Sequence, residues 1–169
     1  MDITVRRMVE GDIDAVGLVH QRAFTRQHEN RAWIECNFRA YPRMQYFVAE
    51  ANSSVIGFIN WMQRSGFRSE VVLELEQMAV DPDYQGRGVG RKLITTTLPQ
   101  VNAQLHERGA RLKHIVVTTR ADNQAQQLYR STLGVEVEFT VRDLYSADEV
   151  YMIARNVEES ECYKRMEAK

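Results

Sequence analysis

The chain has 169 residues, a length typical of one domain. Its 22 Lys and Arg residues nearly balance its 23 Asp and Glu residues, which argues against a dedicated nucleic-acid-binding protein, since such proteins usually carry a basic excess. No run of about 18 apolar residues occurs, so we expect no membrane span. Only two cysteines, Cys36 and Cys162, are present and they are far apart, which argues against a disulfide framework and favours a cytoplasmic protein.

The first part of the chain predicts a strand, two helices and three further strands. Apolar residues recur at helical spacing in both helices, and Pro42 ends the second because the residue before a proline disfavours helical geometry. Asn52-Ser53-Ser54 is a turn signal between two apolar-rich runs and predicts a hairpin. The predicted ranges are 3–8 for the first strand, 12–26 and 29–39 for the helices, and 45–50, 55–62 and 69–80 for the later strands.

The second part predicts a helix, a strand, a helix and two strands. Apolar residues at steps of four and eight, among them Val89 and Leu105, predict a helix that begins after Gly90 and stops at Arg108-Gly109. Pro99 predicts a kink or break near Thr95, since proline costs about 3 kcal/mol inside a helix. Asp122 is the predicted N-cap of the last helix. The predicted ranges are 112–118 for the strand, 122–132 for that helix, and 135–142 and 149–154 for the final strands.

This order of elements predicts an α/β (α+β) fold with a mixed, mostly antiparallel central sheet of about seven strands flanked by about four helices. We expect a single domain over residues 1–157 and a charged C-terminal tail over residues 158–169. The tail has no apolar period and predicts a frayed helix.

A glycine-rich turn joins the strand at 69–80 to the helix that follows it. Its glycines allow positive φ angles and a close approach of the backbone to a ligand. The first N–H groups of a helix have no intrahelical partner and the helix dipole favours negative charge there, so phosphates bind at such ends. Arg87, Arg91 and Lys92 add positive charge around the same turn. The segment therefore predicts a phosphate site.

The turn does not match two common nucleotide motifs. A Walker loop requires GxxxxGK followed by Ser or Thr, and the chain has no such string. A dinucleotide fingerprint requires GxGxxG, but Arg91 occupies the place of its third glycine. A nucleotide-binding domain is accordingly the weakest of the functions that we consider.

The string Gln85-Gly86-Arg87-Gly88-Val89-Gly90 resembles the Q/R-x-x-G-x-G/A pyrophosphate loop of the GCN5-related N-acetyltransferase (GNAT) superfamily. The preceding Met78-Ala79-Val80-Asp81-Pro82 is similar to the exit of that family's fourth strand, and residues 122–129, which read DNQAQQLY, are similar to its N-x-x-A-x-x-L-Y helix. The sequence departs from the pattern in two places. Asp122 stands where Asn is usual, and four residues rather than three separate Tyr129 from Gly134, with Val135 in place of Phe.

The resemblance implies acetyl-CoA as the acyl donor and assigns residues to it. The backbone of Met78, Ala79 and Val80 would bind the pantetheine arm as an added strand, Asn123 would lie near the pantetheine, and Tyr129 near the thioester sulfur. The diphosphate would be held by the main-chain amides of Gln85, Gly86, Arg87, Gly88, Val89, Gly90 and Arg91. The four histidines show no metal-ligand spacing with each other or with Cys36, so we expect no metal.

Acetyl transfer to an amine requires a base. An alkyl ammonium has an ordinary pKa of about 10.4, so about one amine in 2,500 is neutral at pH 7. Deprotonation at that pH therefore costs roughly 4.6 kcal/mol. Glu74 and Glu76 lie two residues apart on a strand and share one face, opposite Leu73 and Leu75. Either can act as the general base, or both can be ordinary solvated strand residues. Tyr129 is the candidate donor of a proton or a hydrogen bond to the leaving thiolate.

The sequence thus predicts an N-acetyltransferase that moves an acetyl group from acetyl-CoA to a primary amine by direct attack in a ternary complex. The acceptor classes that stay open are a small molecule, an amino acid, a protein N-terminus and a lysine. The alternative is a non-catalytic, CoA-binding regulatory module on the same fold. We expect no nucleic-acid or membrane partner, and the resemblance implies a homodimer.

Overall fold

The structure is a computed structural model that describes residues 1–168. These residues form a seven-stranded sheet, in the order β1-β2-β3-β4-β5-β7-β6, and five α-helices. The predicted α/β class and the predicted order of elements are confirmed. The strands are β1 (Thr4–Arg7), β2 (Met44–Ala51), β3 (Ser54–Gln63), β4 (Glu70–Val80), β5 (Arg111–Arg120), β6 (Glu136–Val141) and β7 (Glu149–Ala154). The helices are α1 (Ile13–Ala23), α2 (Asn30–Phe38), α3 (Val89–Glu107), α4 (Ala125–Leu133) and α5 (Glu161–Glu167).

The sheet is mixed, as the sequence predicts. Strands β1 and β2 are antiparallel, as are β5 and β7 and the pair β6 and β7. Strands β4 and β5 are parallel, in a register that runs from Glu70 opposite Arg111 to Glu74 opposite Val116. A parallel pair needs a long crossover, which the segment containing α3 supplies.

The predicted hairpin between β2 and β3 is also confirmed. Asn52 and Ser53 have φ angles of 50° and 61°, both in the left-handed region. A two-residue turn with positive φ at both positions matches the right-handed twist of the flanking strands.

Contacts group the chain into two compact units, and the first contains Met1–Trp61 and Gln77–Thr97. Helix α1 contributes Val16 and Val19 to the apolar core of this unit, because their helical spacing places both on one face. Gly17 allows α1 and α2 to approach closely, since a Cβ at Gly17 would lie 3.2 Å from the Arg31 Cα of α2. The buried members of this core are Met8, Ile13, Val16, Val19, Ile34, Tyr46, Val48, Phe58 and Ala79.

The second unit contains Met62–Glu76 and the chain from Leu98 onward. The prediction of a frayed tail is wrong, because Tyr163 of α5 is 2% exposed and its hydroxyl accepts a hydrogen bond from Asn102 Nδ2 at 2.7 Å. Glu158 adds a second attachment, since its Oε1 accepts the Leu112 N–H at 2.9 Å. Lys169 lies outside the described residues. The division into residues 1–157 and 158–169 stays a prediction.

Two local expectations are corrected. Helix α3 continues through Pro99, so the predicted break near Thr95 is wrong, while the predicted kink stays a prediction. Proline removes one N–H group there, but buried side chains, such as that of Leu98, anchor the helix. Asp122 does not cap α4, because the Arg120 guanidinium binds both of its carboxylate oxygens at 2.9 Å. Gln124 is the N-cap residue of α4, and the Oδ1 of Asn123, one residue earlier, accepts the N–H of Ala125.

No helix within the described part of the chain is long and apolar enough to cross a membrane.

Candidate functional site

The glycine-rich turn leaves β4 and leads into α3, as the sequence predicts. Gly86 and Gly88 have φ angles of +73° and +80°, a backbone conformation that residues with a side chain rarely adopt. A Cβ built at either glycine would meet no atom within 4 Å, so the space beside this backbone is open. Because α3 begins at Val89, the turn delivers the first N–H groups of a helix to that open space. The arrangement fits an anion.

Asp81 fixes the start of this turn. Its N–H donates to the Ile56 carbonyl of β3 at 2.9 Å, and its side chain accepts the N–H of Asp83 at 3.0 Å. Its carbonyl accepts the N–H of Tyr84 at 2.8 Å, which closes a 3-10 turn over Pro82–Tyr84. The path of the chain before the glycines is therefore held by one residue through its backbone and its carboxylate.

The side chains around the turn have distinct partners. Gln85 Nε2 donates to the Val80 carbonyl at 3.1 Å, so the turn is hydrogen-bonded to the last residue of β4. The Arg87 guanidinium lies 5.5 Å from the centroid of the Tyr84 ring. The Lys92 ammonium donates to the Ile3 carbonyl, so this cation is directed to the N-terminal segment.

The predicted pantetheine-binding backbone, Met78 to Val80, forms the last residues of β4. Ala79 is 5% exposed and belongs to the core of the first unit. A Cβ at Gly57 of β3 would lie 2.9 Å from the Ala79 carbonyl oxygen, so only glycine fits beside this part of β4. Strand β4 extends past Glu74, the last residue in the register between β4 and β5.

The two candidate bases lie on β4 in the second unit. Leu73 and Leu75 are 1% and 2% exposed, and the glutamates on either side of Leu75 are partly exposed, so the predicted alternation is confirmed. The Glu74 side chain is 13% exposed, and its Oε2 accepts a hydrogen bond from Arg64 Nη1 at 2.7 Å. Burial raises the pKa of Glu74 above its ordinary value, although Arg64 acts in the opposite direction.

Arg64 is a residue that the sequence did not single out. It follows the end of β3, and its N–H donates to the Val72 carbonyl at 3.0 Å. That bond attaches the backbone of Arg64 to β4, and the Arg64 side chain reaches Glu74 through Nη1. Arg64 belongs to no motif, and only the strand register identifies it as the partner of a candidate base.

Tyr129 and Asn123 also belong to the second unit. Tyr129 of α4 is 6% exposed, and burial raises the pKa of its phenol to about 12. The phenol is therefore protonated at neutral pH and can donate a hydrogen bond. Asn123 Nδ2 donates to Thr119 Oγ1 at 2.8 Å while its Oδ1 accepts the Ala125 N–H, so its amide connects β5 to the start of α4.

Within residues 1–168, no group of three or more His, Cys, Asp or Glu side chains is placed to hold a metal ion.

A family model described as the acetyltransferase (GNAT) domain matches residues 42–132. The chain is 25% identical, over 150 residues, to an uncharacterized N-acetyltransferase of Methanocaldococcus jannaschii; the match covers 82% of this chain and 63% of that protein. It is 33% identical, over 144 residues, to a mycothiol acetyltransferase of Amycolatopsis mediterranei, covering 78% of this chain and 46% of that protein. The chain thus spans roughly half the length of these relatives, 63% of one and 46% of the other.

Two solved structures show the same fold. The ribosomal-protein-S18-alanine N-acetyltransferase of Escherichia coli superposes with a TM-score of 0.70 at 24% identity, covering 95% of this chain and 97% of that one. The PaiA N-acetyltransferase of Thermoplasma acidophilum, in complex with coenzyme A, gives a TM-score of 0.63 at 17% identity, covering 92% of this chain and 99% of that one.

Proposed function

Because the chain belongs to the family of acetyltransferase (GNAT) domains, we propose that it transfers an acetyl group from acetyl-CoA to a primary amine. The observation that carries the proposal is the turn from β4 into α3. Its two left-handed glycines, the open space beside them and the start of a long helix together suit a bound diphosphate.

The main-chain amides of residues 85–91 would bind the diphosphate of coenzyme A. Backbone N–H groups at a helix start supply both hydrogen bonds and a favourable dipole, without the conformational cost of ordering long side chains. The backbone of Met78–Val80 would bind the pantetheine arm. Acetyl-CoA supplies an activated thioester, so the protein needs no covalent intermediate of its own.

Glu74 is the first candidate for the general base and Glu76 the second. A base that accepts the proton of an ammonium works better when its own pKa is raised toward neutrality, and burial raises that of Glu74. Arg64 keeps the carboxylate in one orientation through the bond at 2.7 Å. The negative charge on this face of β4 also favours a cationic acceptor.

Tyr129 would donate a hydrogen bond to the departing sulfur. Its phenol, with a pKa of about 12, keeps its proton over the range in which a free thiol, with a pKa of about 8.5, ionises. Because the phenol is the weaker acid of the two, it stabilises the departing thiolate by a hydrogen bond and does not transfer its proton.

The acceptor class stays as broad as the sequence leaves it: a small molecule, an amino acid, a protein N-terminus or a lysine. A cytoplasmic location and a homodimer are further parts of the proposal, and rest on the cysteine usage and on the resemblance. A non-catalytic module that binds coenzyme A is the rival function.

The test measures donor binding and turnover separately in Glu74→Gln, Glu76→Gln and the double variant. Glu70→Gln is the matched control, because Glu70 lies on the same strand and is also ion-paired, to Arg111 and Lys113. With a panel of amines and peptides, thiol release should fall at least about 100-fold in the double variant while the affinity for coenzyme A is retained.

Three outcomes separate the hypotheses. Loss of turnover with retained affinity supports the enzyme. Coenzyme A binding without acetylation of any amine by the wild type supports the regulatory module. Tight ATP binding, with no affinity for acetyl-CoA or coenzyme A, supports a nucleotide-binding domain.

A further inference from the structure

One arginine bridges the two acidic residues at the exit of β4. Arg22 is the next-to-last residue of α1, and its Nη1 donates to Asp81 Oδ2 at 2.6 Å while its Nη2 donates to Asp83 Oδ2 at 2.8 Å. The Asp81 side chain is 10% exposed and that of Asp83 is 72% exposed. Hydrogen bonds between a guanidinium and carboxylates are charge-assisted and directional, so α1 holds this segment in one orientation.

The same segment sets the path of the turn. Asp81 accepts the N–H of Asp83 with its carboxylate and the N–H of Tyr84 with its carbonyl, and the glycine-rich turn begins directly after Tyr84. Rotation of the Asp81 carboxylate away from Arg22 would therefore break its bond to the Asp83 N–H and weaken the 3-10 turn that precedes residues 85–91. We call the bonds from Arg22 to Asp81 and Asp83 the clamp. The clamp acts on the glycine-rich turn through Asp81, although Arg22 does not belong to that turn.

The clamp also affects the charge near the turn. Asp81 and Asp83 place two negative charges within six residues of Gly86, where we propose that a diphosphate binds. Unopposed carboxylates would repel that anion. Arg22 offsets part of their charge and turns both groups toward α1.

We propose that Arg22 is a positioning residue for the diphosphate loop, because it fixes Asp81 and Asp83 and thereby the direction in which the amides of residues 85–91 point. This inference rests on the proposed function, since it names coenzyme A as the ligand whose affinity depends on the clamp. No motif includes Arg22, which lies 59 residues before Asp81 in the sequence.

The test compares two variants. Arg22→Gln removes the positive charge, whereas Arg22→Lys keeps the charge but has only one side-chain nitrogen and lacks the two Nη atoms that bind Asp81 and Asp83. Arg39→Gln is the matched control, because Arg39 also binds two carboxylates, those of Glu10 and Glu35, and is similarly exposed. Calorimetric titration with coenzyme A should show an affinity about tenfold weaker in Arg22→Gln, partly restored in Arg22→Lys and unchanged in Arg39→Gln.

Hydrogen exchange in the free protein distinguishes positioning from general stability. The amides of Asp83 and Tyr84, which Asp81 accepts, should exchange faster in Arg22→Gln, while amides in β2 keep their wild-type rates. Unchanged coenzyme A affinity would overturn the inference, and so would faster exchange throughout the first unit. Failure of the wild type to bind coenzyme A would instead refute the proposed function, and the exchange pattern would still decide whether Arg22 holds the turn.

Discussion

Gly88→Ala tests whether the shape of the turn, rather than its charge, binds the donor. Gly88 has a φ of +80°, and a Cβ there would touch no protein atom within 4 Å, so the substitution causes no clash within the protein. The expected penalty is the cost of a left-handed conformation in a residue with a side chain, about 1–2 kcal/mol. If coenzyme A requires this conformation, its dissociation constant should rise about 5- to 30-fold. The new methyl group would also project into the space assigned to the ligand.

Gly109→Ala is the matched control for this experiment. Gly109 follows the end of α3 with a φ of +72°, and a Cβ there would likewise meet nothing within 4 Å. Gly109→Ala should lower the melting temperature by a few degrees, at about 2–4 °C per kcal/mol for a chain of this size. Gly88→Ala should lower it less, because the turn of the free protein relaxes and meets the conformational cost only when the ligand binds. Calorimetric titration with coenzyme A should separate them, because only Gly88→Ala should lose affinity. Equal affinities in the two variants and the wild type would refute the reasoning.

Three further substitutions test the second unit. Arg64→Ala removes the cation that lowers the pKa of Glu74, so the acidic limb of the pH profile of kcat/KM should move to higher pH; an unmoved limb would exclude Glu74 as the base. Tyr129→Phe should lower turnover about 10- to 100-fold and leave the affinity for coenzyme A intact. Because the pKa of the Tyr129 phenol is about 12, its ionisation should cause no loss of wild-type turnover between about pH 8 and pH 10. Tyr163→Phe leaves the buried Asn102 Nδ2 without its acceptor and should cost about 1–3 kcal/mol in the free energy of unfolding, measured by urea denaturation; wild-type stability would show that α5 is not attached through this bond.

The features that the sequence predicts correctly are those encoded by neighbouring residues. Alternation of apolar side chains identifies β4, and helical spacing identifies α1 and α3, because each pattern repeats within a few residues. The glycine-rich turn is equally local, since positive φ angles require glycine at particular positions.

The partners that the sequence does not predict are distant along the chain. Trp33 Nε1 donates to Gln77 Oε1, a residue 44 positions later, and no local pattern pairs them. The wrong N-cap at Asp122 has a different cause, because its partner Arg120 lies only two residues away and its guanidinium binds both carboxylate oxygens of Asp122. Side-chain competition of this kind depends on three-dimensional packing, which local propensity does not contain.

A crystal structure of the protein with coenzyme A is the most direct test of the central claim. The account predicts diphosphate oxygens within about 3 Å of main-chain nitrogens in residues 85–91. A diphosphate bound elsewhere, or crystals that take up no coenzyme A at millimolar concentration, would contradict it.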